Sequence, residues 1–163
     1  MKIEQRHLRH DVAGWLNKRR RYLYPRWEVQ VYDTSADKLS RFIEKYALIN
    51  EFPCSPAFDF GLAITGVLRR GPEAQLVFVE CKTSAITLKD LGPMQGYSAA
   101  ALPVLSIIVS PVGMSHSLDL LLNTYNRVDL LDYGHNKRIK IATWDISRKQ
   151  VDPASVLPAG ELG

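Results

Sequence analysis

The sequence predicts an α/β protein in which a central mixed sheet is flanked by helices. The N-terminal segment carries apolar residues at every fourth position, at Leu8, Val12 and Leu16, which is typical of an amphipathic helix. Farther along, residues 76–79 form a short apolar run that follows a polar turn, as expected for a strand. The run 104–109 is apolar at nearly every position, which favours a strand buried on both faces.

Turn and capping residues divide the rest of the chain into further elements. Pro25 ends the first helix, and Asp33 begins a turn that supplies the N-cap of the second. An Arg-Gly-Pro turn near Gly71 joins two of the strands. The predicted elements are, in order, a helix over 1–23, a strand over 27–32, a helix over 36–48, strands over 57–67 and 75–83, a helix over 87–102, a strand over 104–109, a helix over 118–131 and a strand over 138–144.

Length and composition predict one domain. The chain has 163 residues, of which 46% are hydrophobic and 23% are charged, the balance of an ordinary globular protein. We expect residues 1–150 to form that domain. Residues 151–163 contain two prolines and two glycines and are expected to form a loose tail.

Several classes of protein are not supported by the sequence. No apolar run approaches the roughly 20 residues of a membrane span, and the charged N-terminus lacks the apolar core of a signal peptide. The two cysteines do not form a disulfide framework, so a cytoplasmic protein is expected. The four histidines have no zinc-type spacing, and no phosphate-binding glycine loop indicates use of ATP.

Charged residues lie in unusual places on two predicted strands. Asp59 is expected at the head of the strand 57–67, while Glu80 and Lys82 come at the end of the apolar strand 75–83. Because side chains alternate along a strand, Glu80 and Lys82 share one face and Cys81 points to the other. Unpaired charges in such a place would cost several kcal/mol. A divalent cation is the natural partner for them, although an ion-pair cluster at the sheet edge is the simpler alternative.

This pattern resembles the PD-(D/E)xK, or restriction-endonuclease-like, nuclease superfamily. The matching residues are Asp59 on one strand, then Glu80-Cys81-Lys82 at the end of the next, followed by a helix and a buried strand. The resemblance covers roughly residues 55–110 and implies an αβββαβ core. The helix 36–48 would then be an insertion, and the helix and strand after residue 110 would be C-terminal additions.

The resemblance also implies a metal-dependent hydrolysis of phosphodiester bonds in DNA. Asp59, Glu80 and the main-chain carbonyl of Cys81 would be hard oxygen ligands for Mg²⁺, and Mn²⁺ should substitute for it. Lys82 would orient the attacking water or stabilise the developing charge. Possible accessory residues are Glu4 on the first helix and Gln95 and Tyr97 on the helix after Lys82. Pro93 stands four residues before Tyr97, where many members of the superfamily have Gln.

A basic cluster suggests where DNA would be held. Lys18, Arg19, Arg20 and Arg21 follow one another at the end of the first helix, and the formal net charge of the chain is +4. Such a cluster can complement the helix dipole, or it can contact phosphates. DNA is favoured over RNA as the partner, but no base-reading motif indicates a sequence preference.

The predicted assembly is a homodimer. One metal site cuts one strand, and a two-fold dimer supplies the second site. The predicted helix 118–131 also carries more leucines than one face can bury. The active enzyme would be an endonuclease of restriction or junction type, or the nuclease subunit of a larger assembly. The alternative is an inactive nucleic-acid-binding or scaffold protein on the same fold.

Overall fold

The computed structural model describes residues 2–160 and 162, and within these it contains four α-helices and eight strands. The helices are α1 (Gln5–Leu23), α2 (Leu39–Lys45), α3 (Leu88–Ala101) and α4 (His116–Asp119). The strands are β1 (Glu28–Asp33), β2 (Ile64–Arg70), β3 (Glu73–Cys81), β4 (Leu105–Ser110), β5 (Asp132–Gly134), β6 (Lys137–Arg138), β7 (Lys140–Asp145) and β8 (Gln150–Val151). The α/β class and the mixed sheet flanked by helices are therefore confirmed.

The main sheet has six strands in the order β1-β2-β3-β4-β7-β8. The first three form an antiparallel meander, and β4 lies parallel to β3. Parallel neighbours need a crossover, and α3 supplies it between β3 and β4. β7 continues the sheet parallel to β4, while β5 and β6 form a separate hairpin.

Each face of the sheet is covered by its own apolar layer. Leu8, Val12 and Leu16 of α1 are fully buried against one face, as the four-residue spacing predicts. On the other face, α2 and α3 cover a second cluster that includes Phe42, Phe78 and other buried residues. Because side chains alternate along β3, Val77, Val79 and Cys81 belong to the α1 layer and Leu76 and Phe78 to the opposite one.

Two predicted elements are shorter in the structure than in the prediction. The second helix spans only Leu39–Lys45 instead of 36–48, and Ala47 leaves the helical region with φ 55°. The strand predicted over 57–67 begins only at Ile64. The residues before it are irregular, because the main chain at Phe58 and Phe60 bonds to the start of α2 instead of to a strand.

The predicted helix 118–131 is wrong. α4 ends at Asp119 and is followed by a wider π-type turn over Leu120–Thr124 and a 3₁₀ turn over Val128–Leu131. Asn126 between them has φ 54°, a conformation that asparagine tolerates. Leu118 and Leu122 would share one face of a straight helix, but Leu131 would lie on the opposite face, so the breaks allow all three to be buried. Tyr125, in the middle of this segment, is 67% exposed.

The C-terminal segment was expected to be loose, but its described residues pack against the sheet. Val151 lies in β8, and Val156 and Leu162 are buried in the α1 layer. Leu157 and Ile141 exchange two main-chain hydrogen bonds of 2.8 Å each. The apolar residues among the prolines and glycines therefore outweigh the loop-forming tendency of the latter.

Candidate functional site

The end of β3 and the residue that follows it place two charged side chains on one face of the sheet. Glu80 is half-buried and follows Phe78 on the face covered by α2 and α3. Lys82 follows directly after β3 and is also half-buried. Its main-chain N–H donates to the Val109 carbonyl at 2.9 Å, so the β3–β4 pairing fixes the backbone past the end of the strand.

Glu80 sits in an environment that disfavours its charged form. Burial raises the pKa of its carboxyl above the ordinary value. The N–H groups of Cys81 and Ala63 and the nearby ammonium of Lys82 act in the opposite direction without cancelling this effect. A desolvated carboxylate with so little compensation would be stabilised by one more cation.

Lys82 has a partner that the sequence reasoning missed. Its ammonium lies 3.0 Å from a carboxylate oxygen of Asp90, on the first turn of α3. Asp90 also accepts hydrogen bonds from the N–H and hydroxyl of Thr87, at 2.9 and 3.1 Å, which is a capping box. Burial would raise the pKa of Asp90, but the bonds from Thr87 and Lys82 outweigh it and lower the pKa. The Thr-x-x-Asp spacing could have indicated this residue as the helix cap.

The Cys81 carbonyl is accessible to a side chain from α1. The amide nitrogen of Gln5 donates to this oxygen at 2.5 Å. Gln5, and not Glu4, is therefore the residue of the first helical turn that reaches the end of β3. The Glu4 side chain is 80% exposed, and its carboxylate lies 3.9 Å from His7. The Cys81 thiol lies in the opposite apolar layer, where burial raises its pKa, so it is kept as a neutral thiol.

Asp59 is paired with a residue outside this group. It lies in the irregular segment before β2, not at the head of a strand, and its side chain is 74% exposed. Its carboxylate forms an ion pair with Lys38, the residue before α2. The charged groups that act on Glu80 are Lys82 and Asp90. The structure thus brings together Glu80, Lys82 and Asp90.

The two possible accessory residues of α3 have different surroundings. Gln95 donates to the main-chain carbonyls of Leu130 and Asp132, at 3.2 and 3.1 Å, and so holds the segment that leads into β5. Tyr97 stacks on Phe60 with ring centroids 4.3 Å apart and planes inclined by 3°. Phe60 in turn contacts Phe78, two residues before Glu80. Tyr97 therefore packs in the apolar layer that contains Phe78, whereas Gln95 binds main-chain carbonyls near β5.

The basic cluster at the end of α1 does not form one continuous exposed surface. Arg20 is only 1% exposed and donates to the main-chain carbonyl of Leu162 at 2.9 Å. Burial lowers the pKa of its guanidinium. The prediction that Arg20 contacts DNA is wrong, because a buried side chain cannot reach a phosphate. Lys18 and Arg21 are exposed, and Arg19 is half-buried.

No ready cluster of metal ligands is present in the described part of the chain. In residues 2–160 and 162, no group of three or more His, Cys, Asp or Glu side chains is placed to hold a metal ion. The ligand set expected from the sequence contains only two side chains, both carboxylates, because its third ligand is a main-chain carbonyl. Of that set, Glu80 and the Cys81 carbonyl are neighbours, while Asp59 pairs with Lys38.

Comparisons with known proteins add no family to this description. No protein-family model, no curated protein and no solved structure matches the chain. In addition, none of the helices within the described residues is long and apolar enough to cross a membrane.

Proposed function

We propose that this protein is a metal-dependent endonuclease that hydrolyses phosphodiester bonds in DNA. The observation that carries the proposal is the pair formed by Glu80 and Lys82 at the end of β3. One is a half-buried carboxylate with a raised pKa, and the other is an ammonium on the same face. Perturbed titratable groups with a specific charged neighbour are the kind of cluster found at active sites.

The order of elements around this pair supports a restriction-endonuclease-like core. α1 precedes an antiparallel meander of three strands, and α3 crosses over to a parallel fourth strand. This is the αβββαβ arrangement that the resemblance implies, with α2 as the insertion. The likeness concerns topology and the Glu-x-Lys position, and it is the ground on which the superfamily is proposed.

The oxygen atoms at the end of β3 fit Mg²⁺ in their chemistry. Mg²⁺ is usually held by one or two carboxylates together with waters and substrate phosphate, so Glu80 and the Cys81 carbonyl provide a sufficient start. Lys82 is the one cation that acts on the desolvated Glu80 carboxylate among the described residues. When bound, the ion would supply charge for the phosphoryl oxygen and lower the pKa of a water molecule.

The chain's own residues would position that chemistry. Glu80 holds negative charge at the sheet edge, and Lys82 orients the attacking water or stabilises the charge on the phosphate. Asp90 keeps the Lys82 ammonium in place through its 3.0 Å contact. Gln5 donates to the Cys81 carbonyl and so fixes the peptide between Glu80 and Lys82.

Asp59 completes the proposed ligand set only when its carboxylate leaves Lys38. The residue is exposed and precedes β2, so its exchange of partners would disturb no core packing. An exposed ion pair of this kind is worth only about 0–1 kcal/mol, so it opposes such an exchange only weakly. Asp59 would thus stay paired with Lys38 until metal and DNA bind.

A second candidate function is a DNA-binding or scaffold protein that does not cleave. The pairing of Asp59 with Lys38 favours it, because one of the two expected side-chain ligands is already neutralised. In that case the charged residues at the end of β3 would be a structural ion-pair cluster. Binding without hydrolysis in the presence of Mn²⁺ would support this alternative.

DNA would be the partner, and a homodimer the assembly that cuts both strands. The dimer now rests on the need for two sites, because the leucine-rich helix that also suggested it is broken into turns. Sedimentation equilibrium at micromolar concentration tests it. A monomer that only nicks plasmid would contradict the dimer but not the nuclease.

The test of function is an assay on supercoiled plasmid with Mg²⁺ or Mn²⁺, paired with calorimetric titration of each metal. We expect relaxed or linear product that depends on the metal, and saturable binding that Glu80→Gln abolishes. Calcium should bind without turnover because it is a poorer Lewis acid. Absence of both metal binding and cleavage by the wild-type chain would contradict the proposal.

A further inference from the structure

A cavity of about 540 Å³ lies beside β1 and α2, apart from the residues of the proposed active site. It is bordered by the end of β1, by the turn that follows, and by one side of α2. Its size is within the range of small-molecule sites, roughly 300–1,000 Å³. Its walls combine aromatic rings with charges of both signs, and the residues that line it are Tyr32, Asp33, Thr34, Asp37, Arg41, Phe42, Glu44, Lys45 and Tyr46.

The aromatic part of the cavity is a compact group of three rings. The rings of Tyr32 and Tyr46 are 4.5 Å apart, and Phe42 lies 4.8 Å from Tyr46 and 5.5 Å from Tyr32. Phe42 is buried in the core, whereas both tyrosines are only half-buried. The Tyr32 hydroxyl donates to Gln30 at 2.6 Å, which fixes that ring. Half-exposed rings held on a buried one form a platform for another planar group.

Most of the charged side chains that line the cavity have no partner within the described part of the protein. Asp33 is engaged by Arg9 and Ser35, and all of the charged residues that line the cavity are exposed. Among the described residues, the side chains of Asp37, Arg41 and Glu44 have no hydrogen-bond or ion-pair partner, and Lys45 contacts only the Tyr46 ring. Opposite charges so close together could pair with one another. They remain separate around the cavity, which leaves donors and acceptors for a ligand.

The cavity opens at the same edge and on the same face of the sheet as Glu80. β1 and β3 are both antiparallel to β2, so both strands end at one edge. Tyr32 is opposite Thr65, and Thr65 is opposite Phe78, which shares its face with Glu80. Two strand spacings separate β1 from β3, which is about 10 Å. A DNA strand whose phosphate lies at Glu80 could therefore reach the cavity with a nearby base.

From these observations we infer that the cavity binds an unpaired nucleobase of the DNA substrate, close to the phosphate that is cleaved. The base stacks on the platform of Tyr32 and Tyr46, as single-stranded bases do on aromatic side chains. Asp37 and Glu44 accept hydrogen bonds from the N–H groups of the base. Arg41 and Lys45 contact the adjoining phosphate.

The mixture of features favours a nucleotide over other ligands. A phosphate alone would not need aromatic rings, and a cation alone would be repelled by Arg41 and Lys45. A base that is paired in a duplex cannot stack on a protein ring, so the occupant is a flipped, terminal or single-stranded nucleotide. The inference rests on the proposed function in one respect, namely that this nucleotide belongs to DNA.

Fluorescence of 2-aminopurine tests the cavity without any cleavage. The wild-type chain is titrated, in EDTA, into single-stranded oligonucleotides that carry one 2-aminopurine each. Stacking on a tyrosine should quench the fluorescence at saturation. Arg41→Ala, which changes an exposed side chain, should weaken binding about tenfold. Tyr46→Leu should remove the quenching, and circular dichroism checks that this variant is folded.

Matched controls lie on another surface. Tyr125→Leu and Arg127→Ala change an exposed tyrosine and an exposed arginine that do not line the cavity, and both should leave quenching and affinity unchanged. Quenching by Tyr46→Leu equal to that of the wild type, together with an unchanged affinity of Arg41→Ala, would overturn the inference. So would saturable binding of a free deoxynucleotide with no quenching in any oligonucleotide, because the site would then serve a free metabolite.

The two proposals fail in different ways. Quenching that depends on Tyr46, without any metal-dependent cleavage, would leave the base site standing and remove the nuclease. Cleavage that depends on Glu80, with no quenching and no effect of Arg41→Ala, would leave the nuclease and remove the base site.

Discussion

Glu80 and Asp59 are both carboxylates next to strands of one sheet, but the fold fixes them to different degrees. Glu80 lies between β2 and β4 in a strand paired on both sides. Asp59 lies in the irregular segment before β2. This segment is joined to the start of α2 by two main-chain hydrogen bonds, which its neighbours Phe58 and Phe60 accept. The Asp59 side chain contacts Lys38. The first carboxylate is preorganised and desolvated. The second is exposed and free to change partner.

This difference suggests a division of labour within the proposed site. A group fixed by the sheet can hold a metal or a water without reorganisation, whereas an exposed group can add to the site when ligand arrives. Lys82 and Asp90 belong to the fixed region, because one follows β3 directly and the other caps α3.

The largest effect is expected from Glu80→Gln. Loss of the fixed negative charge should lower cleavage of plasmid by at least about 100-fold and remove saturable Mn²⁺ binding. The amide has nearly the same shape, so the melting temperature should not fall. Asp119→Asn is a control carboxylate outside the site and should cleave normally. Full cleavage by Glu80→Gln would mean that the fixed region is structural.

Lys82→Met should lower the rate while metal binding persists. A cation cannot be a metal ligand, and loss of one charge-stabilising group costs about 100-fold in rate. Methionine keeps the length of the side chain but leaves Asp90 without its ammonium partner. Calorimetry with Mn²⁺ alongside the cleavage assay separates the two properties. Loss of metal affinity with an unchanged rate would contradict the assigned role.

Lys38→Met and Asp59→Asn should shift metal affinity in opposite directions. Removal of Lys38 frees the Asp59 carboxylate and should tighten Mn²⁺ binding by up to about fivefold. Asp59→Asn should weaken binding and cleavage. Lys45→Met, a similar change of one exposed lysine, should leave metal affinity unchanged. If Lys38→Met has no effect and Asp59→Asn cleaves normally, Asp59 has no part in the site.

The pH dependence of stability should reveal the fixed carboxyl. The pKa of the Glu80 carboxyl in the folded state lies above its ordinary value of 4.5. At a pH between these two pKa values, the native state therefore binds more protons than the unfolded state. The contribution of Glu80 to stability is therefore greatest at low pH and falls as pH rises through the folded pKa. In urea unfolding with EDTA, Glu80→Gln should gain stability relative to wild type over that range. Glu44→Gln, which changes an exposed carboxylate, should gain no stability over the same range. If the stability of Glu80→Gln and of the wild type changes in parallel with pH, the burial of Glu80 is contradicted.

The smallest effect is expected at the exposed end of α1. Lys18→Ala with Arg21→Ala should weaken DNA binding modestly and lower the salt slope by about 2, independent of sequence. Arg127→Ala with Arg138→Ala removes the same charge from exposed ion pairs elsewhere and serves as the control. An unchanged salt slope in the first variant would mean that the basic cluster is only a helix end.

Local patterns alone determined much of the framework. The repeat at Leu8, Val12 and Leu16 predicts the buried face of α1, because helical period is a local property. The strand period likewise places Glu80 and Lys82 on one face before any fold is known. The helix predicted over 87–102 matches α3, which spans Leu88–Ala101.

Contacts between distant residues decided the rest. Only packing could show that Arg20 is buried by Leu162, that Lys82 meets Asp90, and that Gln5 reaches Cys81, since these partners are not set by spacing along one strand or helix. The same reason explains the irregular start of β2 and the broken leucine-rich segment. In both places the free energy of burying apolar side chains and satisfying main-chain groups in three dimensions exceeded the local preference for a longer element.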